Sequence, residues 1–292
     1  MSGISIFCKS YRDDLERAAT LVKSVRIFNH DSLPFYISVP KDDLGLFQDR
    51  LSNENVSLLC DEEIICANPA VDLNLYKSLH GNLSQQIVKS EFWRINPVEN
   101  YICVDSDSRF IRTFYKSDFV SPDGFPFSVM HEDKSYSHFC LTHNFEKASE
   151  DFINIKAAFM ERFGRKGVDY NFGPFPVIWN ARVWRDLEIN MFAPNNMSIL
   201  DAICQLPSEG FWYGEALLKY QSIPVLPRAP LFKAYLYFEE FEEDMRVGSN
   251  EDVLSNNYLG VVYQSNWYPK RLEVLNKIAY KLKRALRKIT KK

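Results

Sequence analysis

The chain of 292 residues is 46% apolar and 25% charged, ordinary proportions for a soluble globular protein long enough to bury a sizeable core. No run of about 20 apolar residues predicts a membrane span, and Met1–Phe7 lacks the basic and long apolar regions of a secretory leader. The net charge of −3 conceals an asymmetry: residues 270–292 carry ten Lys or Arg against one acid, Glu273, leaving residues 1–269 at −12.

The first hundred residues alternate between two patterns. Ile4–Phe7, Phe35–Val39, Val56–Cys60 and Tyr101–Val104 are short apolar runs that predict strands. Between them, Asp13–Phe28 has a helical apolar stripe, Leu44–Leu51 predicts a short helix, and Ser84–Ile95 predicts a helix ended before Pro97. Such alternation predicts an α/β fold with a mostly parallel central sheet flanked by helices.

The second half is less regular. Arg109–Arg112, Phe125–Met130, Pro176–Trp179 and Tyr258–Gln264 predict strands, while Ala148–Phe163, Met197–Gln205 and Glu209–Tyr220 predict helices. The acidic stretch Glu239–Asp252, with its Gly, Ser and Asn residues, predicts a surface loop. No internal repeat or low-complexity linker divides residues 1–269, so they are expected to form one domain. From Leu272, apolar residues recur every three or four positions among Lys and Arg. Residues 270–292 therefore predict a basic amphipathic helix suited to an anionic membrane surface. The acidic body gives nucleic-acid binding no support.

Six cysteines are scattered without a C-x-x-C pair, which excludes zinc-ribbon and redox motifs and predicts buried thiols in a reducing compartment. His138-x-Cys140-x-x-His143 has metal-like spacing but no evident fourth ligand.

The chemistry concentrates at Tyr101-Ile-Cys-Val-Asp105-Ser-Asp107. In an extended segment Asp105 and Asp107 point to the same side and Ser106 to the other. They follow an apolar strand, and open α/β sheets bind ligands beyond the carboxyl ends of their strands. Two carboxylates there suit Mn²⁺ or Mg²⁺, which complete their shells with water and substrate phosphates. A cation so held would stabilise a departing diphosphate.

Lys9-Ser-Tyr-Arg-Asp13, Ser84-Gln-Gln-Ile-Val-Lys89, Tyr101–Phe110 and Ser208-Glu-Gly-Phe-Trp-Tyr-Gly214 together resemble a bacterial family of GT-A-type glycosyltransferases linked to cell-surface polysaccharide synthesis. The resemblance covers roughly residues 4 to 215. It implies a GT-A-like fold, a nucleotide-diphospho-sugar donor, and a metal held by Asp105 and Asp107, with Ser106 among the donor-binding residues. It also places Ser10, Tyr11 and Arg12 near the base, ribose and phosphate, and Gln85, Gln86 and Lys89 beside the donor. Asn180, ending its strand, is a candidate for sugar hydroxyls, and His131 for a third metal ligand. Glu209 is the candidate general base, should the reaction invert the anomeric centre; it equally suits the first turn of a helix capped by Ser208.

The reading is a cytoplasmic glycosyltransferase, peripheral on the inner face of the cell membrane, acting on a glycan or lipid-linked glycan. A nucleotidyltransferase also uses paired carboxylates but would carry a Gly-rich phosphate loop, and Phe7–Asp14 has no Gly. A non-catalytic glycan-binding scaffold is the other alternative.

Overall fold

The computed structural model describes residues 3–267. The basic segment 270–292, with its expected helix and membrane contact, lies outside the described residues.

The first half follows the predicted alternation. β1 (Ile4–Lys9), α1 (Leu15–Phe28), β2 (Phe35–Val39), α2 (Leu44–Leu51) and β3 (Ser57–Cys60) come in turn. Two short helices, α3 (Asp61–Cys66) and α4 (Leu73–Ser78), precede α5 (Gly81–Glu91) and β4 (Asn100–Asp105). The patterns did not predict α3; its first turn carries Asp61, Glu62 and Glu63, which favour a helix N-terminus.

β5 (Ser108–Phe110) leaves the acidic segment, and β6 is only Ser128–Val129, much shorter than the predicted Phe125–Met130 strand. α6 (Lys134–Thr142), α7 (Glu146–Phe163), β7 (Val177–Asn180), α8 (Ala181–Leu187), α9 (Ile199–Gln205) and α10 (Glu209–Tyr220) follow. After β8 (Pro227–Arg228) and β9 (Phe232–Tyr235), the expected acidic loop is instead α11 (Phe238–Arg246) and α12 (Glu251–Leu254). Tyr237 and Glu240 form a capping box at the start of α11. Phe238 and Phe241, three residues apart, share a face that packs on Tyr235 and Trp267. The apolar pair therefore outweighs the acidic composition. β10 (Gly260–Tyr263) is the last described strand.

The main sheet has the order β3-β2-β1-β4-β7, parallel except for β7. Alternate residues of each strand serve two cores, as a sheet covered on both faces requires. Phe7, Tyr101 and Cys103 face a core that includes Ile87 and Val88 of α5, Trp184 of α8 and Trp212 of α10. Ile6, Cys8, Ile102 and Val104 face Leu21 and Val22 of α1 and Phe47 of α2. A second sheet, β5-β10-β9, returns the chain to the acidic segment, and β6-β8 form a small third one. Gly260 allows β10 its close pass, since a Cβ there would collide with the Arg109 carbonyl and the Phe232 ring.

Candidate functional site

The register pairs Lys9 of β1 with Asp105 of β4, so the carboxyl ends of these neighbouring strands form one ledge. Asp105 closes β4, and its Oδ1 accepts a hydrogen bond from Lys89 Nζ at 2.6 Å. Lys89 projects from α5 and is almost wholly buried, with Glu209 Oε1 of α10 at 3.3 Å and the Phe175 ring centroid at 4.3 Å. Burial alone would lower the lysine, but Asp105 and then Glu209 outweigh it and raise its pKa, keeping it charged. Burial raises the carboxyl of Glu209, and Lys89 opposes that shift. Of the three residues expected beside the donor from α5, Gln86 and Lys89 are buried and Gln85 is not.

Asp107 is held from the far end of the chain. Its Oδ2 accepts from Ser265 N at 3.0 Å, and its backbone carbonyl accepts from Tyr263 N at 3.0 Å. Its Oδ1 is buried and has no hydrogen-bond partner among the described residues. Burial, then the charges of Asp105 and Asp14, push its carboxyl from 3.8 up to about 7, against the pull of the Ser265 N–H. Ser106 Oγ turns the other way and donates to Asp14 Oδ2 at 2.8 Å.

These groups fit a divalent cation in two respects. Asp105, Asp107 and Glu209 outnumber the single buried cation Lys89, and Asp107 Oδ1 is a buried acceptor without a donor. Among the described residues, no three His, Cys, Asp or Glu side chains converge on a ready-made metal site. His131 does not join the aspartates; its Nε2 lies 2.7 Å from the Gly173 carbonyl. His143 Nε2 faces Glu243 at 3.1 Å while Cys140 is buried, so the His-x-Cys-x-x-His spacing builds no metal centre either.

Two cavities flank the acidic segment. A groove of about 890 Å³ lies over the ends of β1, β2 and β3, lined by Lys9, Ser10, Tyr11, Asp14, Asp61 and Gln85 among others. Ser10 is buried and its Oγ lacks a partner among the described residues, while Tyr11 is 44% exposed. Lys9 Nζ pairs with Asp61 Oδ2 at 2.9 Å on the groove's floor. A smaller pocket of about 280 Å³ shares Asp105 and is walled by Tyr136, Phe152, Phe175 and Val262. One strap, Gln264–Asn266, borders both: Gln264 the pocket, Ser265 and Asn266 the groove.

The structure thus gathers Ser10, Tyr11, Gln85, Lys89, Asp105, Asp107 and Glu209 around one centre, although Glu209 lines neither cavity. Besides His131, it leaves Arg12 and Asn180 apart. Arg12 is tied to Asp43, its Nε donating to Oδ1 at 2.7 Å, and does not line the groove. Asn180 pairs in register with Asn100 at the opposite end of β4, roughly 17 Å of strand from Asp105. Its Oδ1 instead caps α8 by accepting from Arg182 N at 2.8 Å. Sequence reasoning missed Asp61, which the rule that found Asp105 marks equally well, since it directly follows β3. It gave Asp14 no site role. Nothing in the sequence pattern pointed to Ser265.

No curated protein shows significant similarity to the chain. Among solved structures, the apo form of mouse xyloside xylosyltransferase 1 is similar at 10% identity and a TM-score of 0.48, over 90% of this chain and 98% of that one. Residues 4–207 match the Family of unknown function (DUF6492), and the chain belongs to that family.

Proposed function

We propose that the chain is a metal-dependent glycosyltransferase of the GT-A type, moving a sugar from a nucleotide-diphospho-sugar to a glycan acceptor. The observation that carries this reading is the buried, unpartnered Asp107 Oδ1 beside Asp105, at the strand end where a nucleotide-sized groove meets a smaller pocket. Asp105 and Asp107 would hold Mn²⁺ or Mg²⁺, and the bound ion would supply charge stabilisation for the leaving diphosphate. Ser10 and Tyr11 present a hydroxyl and an exposed ring to the nucleoside, and Gln85 adds an amide on the groove's rim. Lys89 fixes the Asp105 carboxylate, and Glu209 fixes Lys89.

Glu209 takes the general-base role if an acceptor hydroxyl reaches it. The pH–rate profile of Glu209→Gln decides: loss of the acidic limb supports that role, whereas an unchanged profile leaves Glu209 as the partner of Lys89 alone. The ten Lys or Arg of residues 270–292 favour an anionic membrane surface and hence a lipid-linked acceptor, as in surface polysaccharide synthesis.

Calorimetric titration with a panel of uridine, guanosine, cytidine and thymidine diphospho-sugars, with and without Mn²⁺, tests the reading. At least one should bind in a Mn²⁺-dependent manner, and Asp107→Ala should weaken it by more than about 100-fold, since even outer-shell changes at metal sites cost 10–100-fold. The absence of any metal-dependent binder to the native chain would refute it. Liposome flotation of a chain ending at Pro269 tests the membrane contact, with loss of binding to anionic vesicles expected.

A further inference from the structure

We propose that the pocket beside Asp105 is a binding site for a single pyranose ring, read by the side-chain pair Asp133–Asn171. The inference rests on the glycosyltransferase reading for the chemistry of the ligand, and on the pocket itself for its size and recognition.

At about 280 Å³ the pocket falls just below the range of roughly 300–1,000 Å³ that takes drug-sized ligands, so it suits one ring rather than an extended chain. Its walls are apolar, with Phe152, Phe175, Pro174, Leu236 and Val262, while Asp105, Asp133, Asn171 and Gln264 supply polar groups. A pyranose has the matching character: C–H groups over its faces and hydroxyls around its rim.

The polar pair is a built feature. Asn171 Nδ2 donates to Asp133 Oδ2 at 2.7 Å, and Asn171 Oδ1 accepts from Gly173 N at 3.1 Å, which fixes the orientation of the amide. One amide hydrogen and several carboxylate lone pairs stay available, because an amide NH₂ donates twice and a carboxylate accepts up to about four times. Donor and acceptor therefore stand side by side, the arrangement that two adjacent hydroxyls complement.

The backbone is shaped to keep them there. His131 and Asn171 exchange backbone hydrogen bonds at 3.1 and 2.7 Å, and His131 Nε2 closes on the Gly173 carbonyl at 2.7 Å. Asp133 sits at φ 52°, a left-handed conformation that Asp tolerates better than most residues. His131 thus acts as a positioning residue for the sugar pair.

The ring has two sources, the donor's own sugar or the end of the acceptor, and one experiment separates them. Saturation-transfer NMR on the full chain, with a panel of methyl hexopyranosides, should show at least one that binds. Asp133→Asn and Phe152→Leu should each weaken it about tenfold, a change of about 1.4 kcal/mol, while Mn²⁺-dependent nucleoside diphosphate affinity and melting temperature stay unchanged. His131→Phe should weaken the glycoside and His131→Gln, which keeps a side-chain donor, should restore it in part. Displacement of the glycoside by the sugar nucleotide but not by the nucleoside diphosphate assigns the pocket to the donor's sugar. Retention in the presence of both assigns it to the acceptor. If the sugar nucleotide binds but no glycoside does, or if neither Asp133→Asn nor Phe152→Leu affects the glycoside, the pocket proposal falls while the parent reading stands. If no sugar nucleotide binds, the parent reading falls first.

Discussion

The two flanks of Asp105 are built by different means. On the groove side, β1 and β3 carry their polar groups where the strand ends, as Lys9–Ser10 and Asp61 do, and β4 ends in Asp105 between the two flanks. On the pocket side, the polar pair Asp133–Asn171 stands on the irregular segments that flank α6 and α7, held by a β-bridge and by side-chain bonds. A regular sheet positions groups through register, whereas irregular backbone must be fixed bond by bond. The groove should therefore tolerate substitution at single contacts, and the pocket should be sensitive to them.

The largest test removes the bolt between the two sides. Lys89→Met leaves the Asp105 and Glu209 carboxylates without their shared cation, and breaking a buried ion pair in this way costs about 3–5 kcal/mol. Urea denaturation should show the loss, and the Lys89→Met/Glu209→Leu double variant should recover part of it. A second test strikes one side alone. A Cβ at Gly214 of α10 would run into the Phe172 ring next to Gly173, so Gly214→Ala should cost about 1–3 kcal/mol by overpacking. In the folded fraction it should weaken glycoside binding and spare nucleoside diphosphate binding.

A third test uses pH. With its carboxyl raised from 3.8 to about 7, folded Asp107 keeps a proton that the unfolded chain has released. Its contribution to the metal-free protein is therefore full below about pH 4 and is lost as pH rises through about 7. Thermal melts in EDTA should show that slope diminished in Asp107→Asn. Mn²⁺ affinity should run the other way, falling as pH drops below about 7, because the proton competes for the same oxygen. The smallest effect is expected from Arg12→Ala. Its side chain is 59% exposed and its guanidinium is committed to Asp43, so sugar-nucleotide affinity measured by calorimetry should not change.

The contrast between the two sides also explains what the sequence revealed. The strands and longer helices of residues 4–105 were legible because a sheet covered on both faces demands continuous apolar runs, as in Ile4–Lys9, where every residue is buried. Asp105 and Asp107 were legible because such a run ends in acids. The β6 strand was overread because apolar residues from Phe125 to Met130 serve packing around a two-residue pairing. Asp133 and Asn171 lie 38 residues apart and their partnership has no local periodicity. Ser265 acts through a backbone N–H, which any non-proline residue supplies, so no residue type could announce it.

The strap from Gln264 to Asn266 carries a consequence for how the two ligands sense each other. Ser265 grips Asp107 while its neighbour Gln264 borders the sugar pocket, so both occupants would press on adjacent links of one short segment. Any ordering that one ligand imposes on that segment is ordering the other need not impose again. The resulting gain in affinity is necessarily mutual, since the free energy of coupling is the same whichever ligand arrives first.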